Sequence, residues 1–219
     1  MKFLIIFICF ATSSYSGDFF SNISTTTNQI ALTFDDAPST VTPEICDVLK
    51  KYGVKATFFV LGNNVKKYPS NLKRIYDDGH LIGNHTYSHI NLFKERKLPE
   101  HEKILLDEIT KTENEIKNIS GFTPTYIRFP YGYDKKWAIE LAQKNGYKVF
   151  NWTFGYDWNK IDDEKLIKLY IDNIRPGAVF LMHDTPKHKK RILRLTEEII
   201  KEAKNRNFTI VRLDEAVYK

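Results

Sequence analysis

The chain has 219 residues, of which 42% are hydrophobic and 27% charged, and its formal net charge is +6 at pH 7. This length suits one domain of ordinary size with its own core. The basic residues are dispersed, with no basic stripe beside stacked aromatics, so the sequence argues against nucleic acid as a partner. A weak attraction to an anionic cell-wall polymer is compatible with the charge.

The first residues have the pattern of an export signal. Lys2 gives a basic start, the apolar run "FLIIFICFA" follows, and Ser14 and Ser16 place small residues where a signal peptidase cleaves. The run is shorter than the roughly twenty residues of a membrane span. We predict a signal over residues 1–16, cleaved or kept as an anchor, and an exported protein in the periplasm, cell envelope or medium, without stable membrane insertion after cleavage. Its oligomeric state is not predicted.

The rest of the chain alternates between strand-like and helical patterns. Residues 17–28 are polar and rich in turn formers, and we predict a linker there. The predicted strands cover 29–34, 56–60, 81–85, 126–129, 147–152, 178–183 and 208–213. The predicted helices cover 43–52, 64–78, 99–119, 134–145, 162–174 and 189–206. This alternation predicts an α/β fold, with about seven parallel strands in a closed or nearly closed β/α barrel that forms a single domain over 29–219.

Ionisable residues collect at the carboxyl ends of the predicted strands, where β/α folds gather their functional groups. Four predicted strands end this way, in Asp35-Asp36, "NHTYSH", "RFPYG" and "LMHD", and the strand over 147–152 runs into "GYDW". Packing of a core does not require such a one-sided distribution. The sequence therefore predicts a functional site at this end of the barrel.

A metal explains two features of this set. Adjacent carboxylates such as Asp35 and Asp36 repel each other when buried, although a solvated turn with a helix cap is the structural alternative. His85 and His89 would lie on one face of a helical turn, as metal ligands or as two surface histidines. With one aspartate they form a two-histidine, one-carboxylate set for zinc or another divalent ion. The second aspartate can then accept a proton from the attacking water.

The motifs "TFDDAPS", "HTYSH", "RFPYG", "DW" and "LMHD", in this order, resemble the five motifs of the polysaccharide deacetylases. This is carbohydrate esterase family 4, the NodB-like group, and the resemblance covers about residues 29–213. It implies a distorted (β/α) barrel that removes acetyl groups from polysaccharides with a divalent metal, usually zinc, with cobalt or another ion as alternatives. One position departs from the pattern, because Ala37 stands where the family most often has glycine. A positive φ there would cost about 1 kcal/mol.

The resemblance also implies a role for individual residues. The catalytic set is Asp35 as base, Arg128 as its orienting partner, His183 as general acid and Asp157 as the residue that tunes it. The metal ligands are Asp36, His85 and His89. The substrate-binding set is Pro130, Tyr131 with its backbone N–H as oxyanion donor, Trp158 and Leu181. The structural alternatives are a salt bridge for Arg128 and core packing for Trp158 and Leu181.

These roles fit what amide hydrolysis needs. Water must be activated, the tetrahedral oxyanion stabilised and the poor amine leaving group protonated. Arg128 would keep Asp35 ionised through charge-assisted hydrogen bonds, and Asp157 would favour the imidazolium of His183. The expected substrate is an N-acetylglucosamine-type polysaccharide or oligosaccharide, such as peptidoglycan or a chitin-like polymer.

Three alternatives stay open at this point. The first is an esterase acting on O-acetylated xylan, and the second is a catalytically idle carbohydrate-binding protein on the same barrel. The third is a non-haem iron oxygenase built on the Asp-His-His set, although such sites usually occupy β-sandwich folds rather than alternating strands and helices.

Overall fold

The computed structural model describes residues 19–24 and 26–216, so the predicted signal lies outside the described residues. Within them nine strands form one sheet: β1 (Phe19–Phe20), β2 (Gln29–Ala37), β3 (Thr57–Val60), β4 (Leu81–Asn84), β5 (Tyr126–Ile127), β6 (Lys148–Phe150), β7 (Phe154–Gly155), β8 (Val179–His183) and β9 (Thr209–Ile210). The helices are α1 (Thr42–Lys51), α2 (Gly62–Lys67), α3 (Pro69–Asp77), α4 (Leu92–Glu95), α5 (His101–Ser120), α6 (Lys136–Lys144), α7 (Asp163–Asp172) and α8 (Lys189–Asn205).

The strands are paired in parallel, in the order β1-β6-β5-β4-β3-β2-β8-β7, with β9 beside the start of β2. Only residues 151–153 separate β6, which pairs with β5, from β7, which pairs with β8. One extended segment therefore joins the two sides of the sheet, and the sheet curves into a distorted barrel. The predicted α/β barrel is confirmed. None of the helices in the described part of the chain is long and apolar enough to cross a membrane.

Strand β2 shows how the sequence positions the site. Ile30, Leu32 and Phe34 pack outward against helices, in a cluster that includes Leu49 and Ile199. Successive side chains of a strand point to opposite faces, so the alternate residues of β2 face the barrel interior. There Ala31 packs with Phe59, Phe150 and Val179. Thr33 and Asp35 continue this inner row, which carries the carboxylate to the carboxyl end of the barrel.

Part of the predicted linker belongs to the domain instead. Phe19 and Phe20 form β1, which pairs with β6, and Ile23 is 1% exposed with its N–H donating to the carbonyl of Gly177. A two-residue strand inside a polar segment is too short for hydrophobic periodicity to identify. These residues cover one side of the barrel next to the segment that joins β6 and β7.

Replacing Ile23 with alanine should therefore lower the free energy of unfolding by about 2–4 kcal/mol, as expected for a buried isoleucine. Chemical denaturation followed by circular dichroism measures the change. Ser21→Ala, at an exposed neighbouring position, should change it by less than about 0.5 kcal/mol. Equal stability of Ile23→Ala and the unmodified chain would show that this segment is a linker after all.

The predicted helix over 64–78 is two helices in the structure. Pro69 starts α3, and the preceding residue, Tyr68, has φ −127° and ψ 58°, outside the helical region. Proline disfavours a helical conformation in the residue before it, which explains the break. The short elements α4 and β7 were not predicted, because neither is long enough to show a period.

Candidate active site

The predicted site residues meet at the carboxyl end of the barrel. Nine side chains line a pocket of about 420 Å³: Asp35, Asp36, His85, His89, Tyr131, Trp152, Trp158, Leu181 and His183. Arg128 and Asp157 lie behind this lining, each bonded to a lining residue. Pro130 is buried beside Tyr131 and does not line the pocket. Trp152 also lines the pocket but was not predicted as a site residue, although it is the last residue of the predicted strand 147–152.

Asp36, His85 and His89 each offer one ligand atom, and these atoms lie within 4.8 Å of one another. Oδ1 of Asp36 is 3.5 Å from Nε2 of His89 and 3.8 Å from Nε2 of His85. Nδ1 of His85 is 2.7 Å from the carbonyl oxygen of Arg128 and donates to it, so Nε2 carries a free lone pair. Oδ1 of Asp36 is buried without a hydrogen-bond partner. An orphaned carboxylate oxygen beside two imidazoles fits a divalent ion such as zinc.

The backbone that carries these ligands differs from the prediction. Residues 85–91 form a loop, so the expected helical turn between His85 and His89 is wrong. The two imidazoles converge because Thr86 has φ 69° and His89 has φ 60°. Such left-handed conformations are uncommon for residues other than glycine, and they often occur at functional sites.

A positive φ also occurs in the aspartate pair, at Asp36 rather than at Ala37. Asp36 has φ 63°, which interrupts the alternation of β2. Ala37 is fully buried and pairs with Val60 in β3. Ala37 therefore carries no cost from a positive φ, and its β-carbon is accommodated.

Arg128 holds Asp35 in a buried ion pair. Its guanidinium is 0% exposed and donates to Oδ1 of Asp35 at 2.7 Å. The same group donates to Thr33 and to the carbonyls of Phe150 and Asn151, so the charge is well bonded despite its burial. The other oxygen of Asp35, Oδ2, is 3.7 Å from Nε2 of His85. The Asp35 carboxylate therefore lies between Arg128 and His85, one of the three candidate ligands.

His183 faces the same pocket from β8. Oδ1 of Asp157 accepts from Nδ1 of His183 at 2.9 Å, and its Oδ2 accepts from the backbone N–H of His183 at 2.9 Å. Burial by itself would lower the pKa of His183. The hydrogen bond and charge of Asp157, with the charges of Asp35 and Asp36, raise this pKa to about 9. His183 is therefore a cation at neutral pH, with Nε2 as its remaining donor.

One residue that positions the site was not predicted. Glu108 of α5 accepts from the backbone N–H groups of Tyr87 and Ser88 at 2.9 and 2.8 Å, and from the Ser88 hydroxyl at 2.9 Å. These bonds fix the loop between His85 and His89. The available signal was a charged residue on the apolar face of α5, between Leu105 and Ile109.

Glu108→Ala should weaken metal binding by about tenfold to a hundredfold, because the N–H groups of Tyr87 and Ser88 lose their acceptor and the loop that carries the ligands loses its support. Competition with a zinc chelator measures the affinity. Glu102→Ala, at an exposed position of the same helix, is the matched control and should leave the affinity unchanged. Unchanged metal affinity in Glu108→Ala would show that Glu108 does not position the site.

A second group of potential ligands is less suited to a metal. The candidate ligand atoms of Cys46, Asp78 and His80 also lie within 4.8 Å of one another. His80 precedes β4, at the opposite end of the barrel from the pocket. Nδ1 of His80 accepts from the N–H of Ala56 at 3.2 Å, so Nε2 carries the proton and has no lone pair to offer. Burial also raises the pKa of the Cys46 thiol to about 12. Cys46 and His80 are buried, whereas Asp78 is half-buried and pairs with Arg74, so the three form a structural cluster.

Comparison with known proteins finds that the chain is similar to enzymes described as deacetylases. The sequence profile of the family described as "Polysaccharide deacetylase" matches residues 22–150. A peptidoglycan-N-acetylglucosamine deacetylase of Bacillus cereus is 37% identical, over 84% of this chain and 66% of its own length. A protein of the same description from Listeria monocytogenes is 35% identical over 87% and 39%. A chitooligosaccharide deacetylase of Azorhizobium caulinodans is 35% identical over 75% and 77%. The chain thus spans less than two thirds of the first two relatives.

Solved structures show the same similarity. A peptidoglycan N-acetylglucosamine deacetylase, crystallised with a benzamide compound, superposes with a TM-score of 0.85 at 34% identity, over 91% of this chain and 92% of the other. A pseudoenzyme of carbohydrate esterase family 4 from Bacillus anthracis superposes with a TM-score of 0.79 at 25% identity, over 89% and 67%.

Proposed function

The chain belongs to the polysaccharide deacetylase family, carbohydrate esterase family 4, and we propose that it hydrolyses N-acetyl groups of N-acetylglucosamine-type polysaccharides or oligosaccharides. One observation carries this proposal. The Asp35–Arg128 pair and the His183–Asp157 pair approach the same pocket, which also holds the three candidate metal ligands. A proton acceptor and a proton donor facing one metal site are what hydrolysis of an amide requires.

Asp36, His85 and His89 would hold the divalent ion, for which zinc is the first candidate. When bound, the ion supplies Lewis acidity, which polarises the acetyl carbonyl and makes a nearby water more acidic. The Asp36 oxygen without a hydrogen-bond partner supports this assignment.

Asp35 is the proposed general base. It takes one proton from the attacking water while the water oxygen forms a bond to the acetyl carbon. Arg128 aims this carboxylate at the pocket through the 2.7 Å charge-assisted hydrogen bond to Oδ1. The other oxygen of Asp35, Oδ2, is not bonded to Arg128 and lies 3.7 Å from Nε2 of His85, so it would accept the proton.

His183 is the proposed general acid. As the carbon–nitrogen bond of the tetrahedral intermediate breaks, Nε2 of His183 gives its proton to the sugar nitrogen, and acetate and a free amine are released. Asp157 supports this step because it holds Nδ1 and keeps the ring protonated. Without the proton the nitrogen would have to leave as an amide anion.

Substrate binding would use the aromatic rim of the pocket. Tyr131 and Trp158 are 59% and 48% exposed, and sugar rings pack well on such side chains. Leu181 would form the apolar wall against the acetyl methyl group, and the Tyr131 N–H would donate to the oxyanion. Pro130 would act only by fixing Tyr131.

We assign the protein to the exported fraction, in the periplasm, the envelope or the medium. Support comes from the signal pattern at the N-terminus and from the two first-named relatives, which are described as acting on peptidoglycan, a polymer outside the cytoplasmic membrane.

Acetate release from a substrate panel tests the proposal. N-acetylglucosamine oligomers and peptidoglycan fragments should lose acetyl groups, with free amines visible by mass spectrometry. Activity on O-acetylated xylan alone would favour the esterase alternative. Binding of the oligomers without acetate release from any substrate would favour an idle protein, as in the Bacillus anthracis pseudoenzyme.

A further inference from the structure

A second cavity, of about 450 Å³, adjoins the catalytic pocket. Trp158 lines both, so one aromatic side chain forms the border between them. The walls come from the segment after β7 and from the turn between β8 and α8. We call this cavity the cationic cleft; its charged and aromatic lining is Trp158, Lys160, Asp162, Lys187, His188 and Arg191.

Two lysines of the cationic cleft are available for a ligand. Lys160 and Lys187 are exposed, and neither forms an ion pair with any residue in the described part of the chain. The nearby Lys189, in contrast, is bonded to Glu44 at 2.7 Å. Two unpaired ammonium groups that line one cavity create a positive potential inside it.

The remaining charges of the cleft are already engaged. Arg191 bonds Asp163 at 2.7 Å and donates to the carbonyls of Asn159 and Ile161, so it fixes the wall that carries Lys160. Asp162 caps α7, where one carboxylate oxygen accepts from two backbone N–H groups. The Arg191 and Asp162 side chains therefore hold the backbone of the cationic cleft in place, and the charges that line the cleft are positive on balance.

We propose that the cationic cleft binds a carboxylate carried by the glycan, on a sugar next to the one whose acetyl group occupies the catalytic pocket. Trp158 would pack against the glycan chain where the glycan passes from the catalytic pocket into the cationic cleft. Lys160 and Lys187 would pair with the carboxylate from both sides. This inference rests on the proposed function and narrows its substrate class to acidic glycans, of which peptidoglycan strands with free lactyl carboxylates are one kind.

Neutral polymers give these lysines nothing to pair with. A chitin-like oligomer would occupy the catalytic pocket and lie across the cleft without using its charge. The cleft should therefore act on the choice among substrates, while leaving the chemistry at the acetyl group unchanged.

The test compares two forms of one substrate: oligosaccharides of alternating N-acetylglucosamine and N-acetylmuramic acid, with the lactyl groups as free carboxylates or as methyl esters. At low salt the unmodified protein should show roughly threefold to tenfold higher kcat/KM on the carboxylate form, the range expected for two exposed ion pairs. Salt near 1 M should remove most of the difference, because it screens exposed charges.

The double variant Lys160→Gln/Lys187→Gln should lose the preference and keep its rate on the ester form. Lys117→Gln/Lys144→Gln is the matched control, since these lysines lie in the last turns of α5 and α6, at the opposite end of the barrel. It removes the same charge and should retain the preference. Loss of the preference in both double variants would mean that overall charge, not the cleft, selects the substrate, and its retention in both would show that Lys160 and Lys187 do not select it.

Equal rates of the unmodified protein on both substrate forms would overturn the inference and leave the proposed function intact. Absence of turnover on every form would instead overturn the proposed function. Binding of the two forms, measured by calorimetry, would still test the cleft, with equal affinities as the contradicting result.

Discussion

Replacing Asp35 with asparagine should reduce acetate release by about a hundredfold to ten-thousandfold while the protein keeps its metal. The amide cannot accept a proton from water, but it adds no bulk to the site. It also leaves the buried Arg128 without its negative partner. The unpaired charge should lower the thermal unfolding midpoint, so rates must be compared at a temperature where circular dichroism shows the variant to be folded.

Asp36→Asn is the matched comparison, because it makes the same chemical change one residue along the chain. In this variant the primary effect should be a loss of metal affinity, because the Asp36 oxygen that lacks a hydrogen-bond partner becomes part of a neutral amide. Elemental analysis of the two variants separates the roles. Equal metal loss in both, or full activity in Asp35→Asn, would reject the proposed division between base and ligand.

His183→Ala should affect two substrates very differently. Hydrolysis of an N-acetyl sugar should fall by about a hundredfold or more, because its leaving nitrogen must be protonated. Hydrolysis of an aryl acetate ester should fall much less, since a phenolate leaves without a proton. Equal losses on both substrates would show that His183 does not protonate the leaving group.

The pH dependence follows from the same assignment. His183 must be protonated to act, and its pKa is raised to about 9, so activity should decline as the pH rises through that region. We call this decline the alkaline limb of the pH profile. A metal ion bound nearby would lower the pKa of His183 and move the alkaline limb to lower pH, so the quantity to measure is the shift of the limb between variants. Asp157→Asn removes the main stabilising partner of the imidazolium, so the alkaline limb should shift to lower pH with metal content unchanged. A limb that stays in place would contradict the role of Asp157.

The sequence predicted the barrel and the convergence of its functional groups for a physical reason. Parallel strands connected by helices all end on the same side, so residues at the carboxyl ends of β2, β4, β5 and β8 must meet. Asp35 and His183 are far apart in the chain, yet they pair in register between β2 and β8. Strand ends alone were enough to place them together.

Other features depend on contacts that no local pattern encodes. The convergence of His85 and His89 comes from two left-handed residues, not from a helix, and four-residue spacing does not distinguish these cases. Glu108 acts on their loop from a helix twenty residues away in sequence. The sequence marked it only as an unusual charge on an apolar face, without showing what it bonds.

The central claim is that Asp36, His85 and His89 bind the metal on which N-deacetylation depends. The most direct test is acetate release from N-acetylglucosamine oligomers by protein stripped with a chelator and then titrated with zinc. We expect the stripped protein to be nearly inactive and to recover fully at about one zinc per chain, whereas His89→Ala should neither retain the metal nor recover. Unchanged activity after stripping, or full recovery of His89→Ala at the same zinc concentration, would contradict the account.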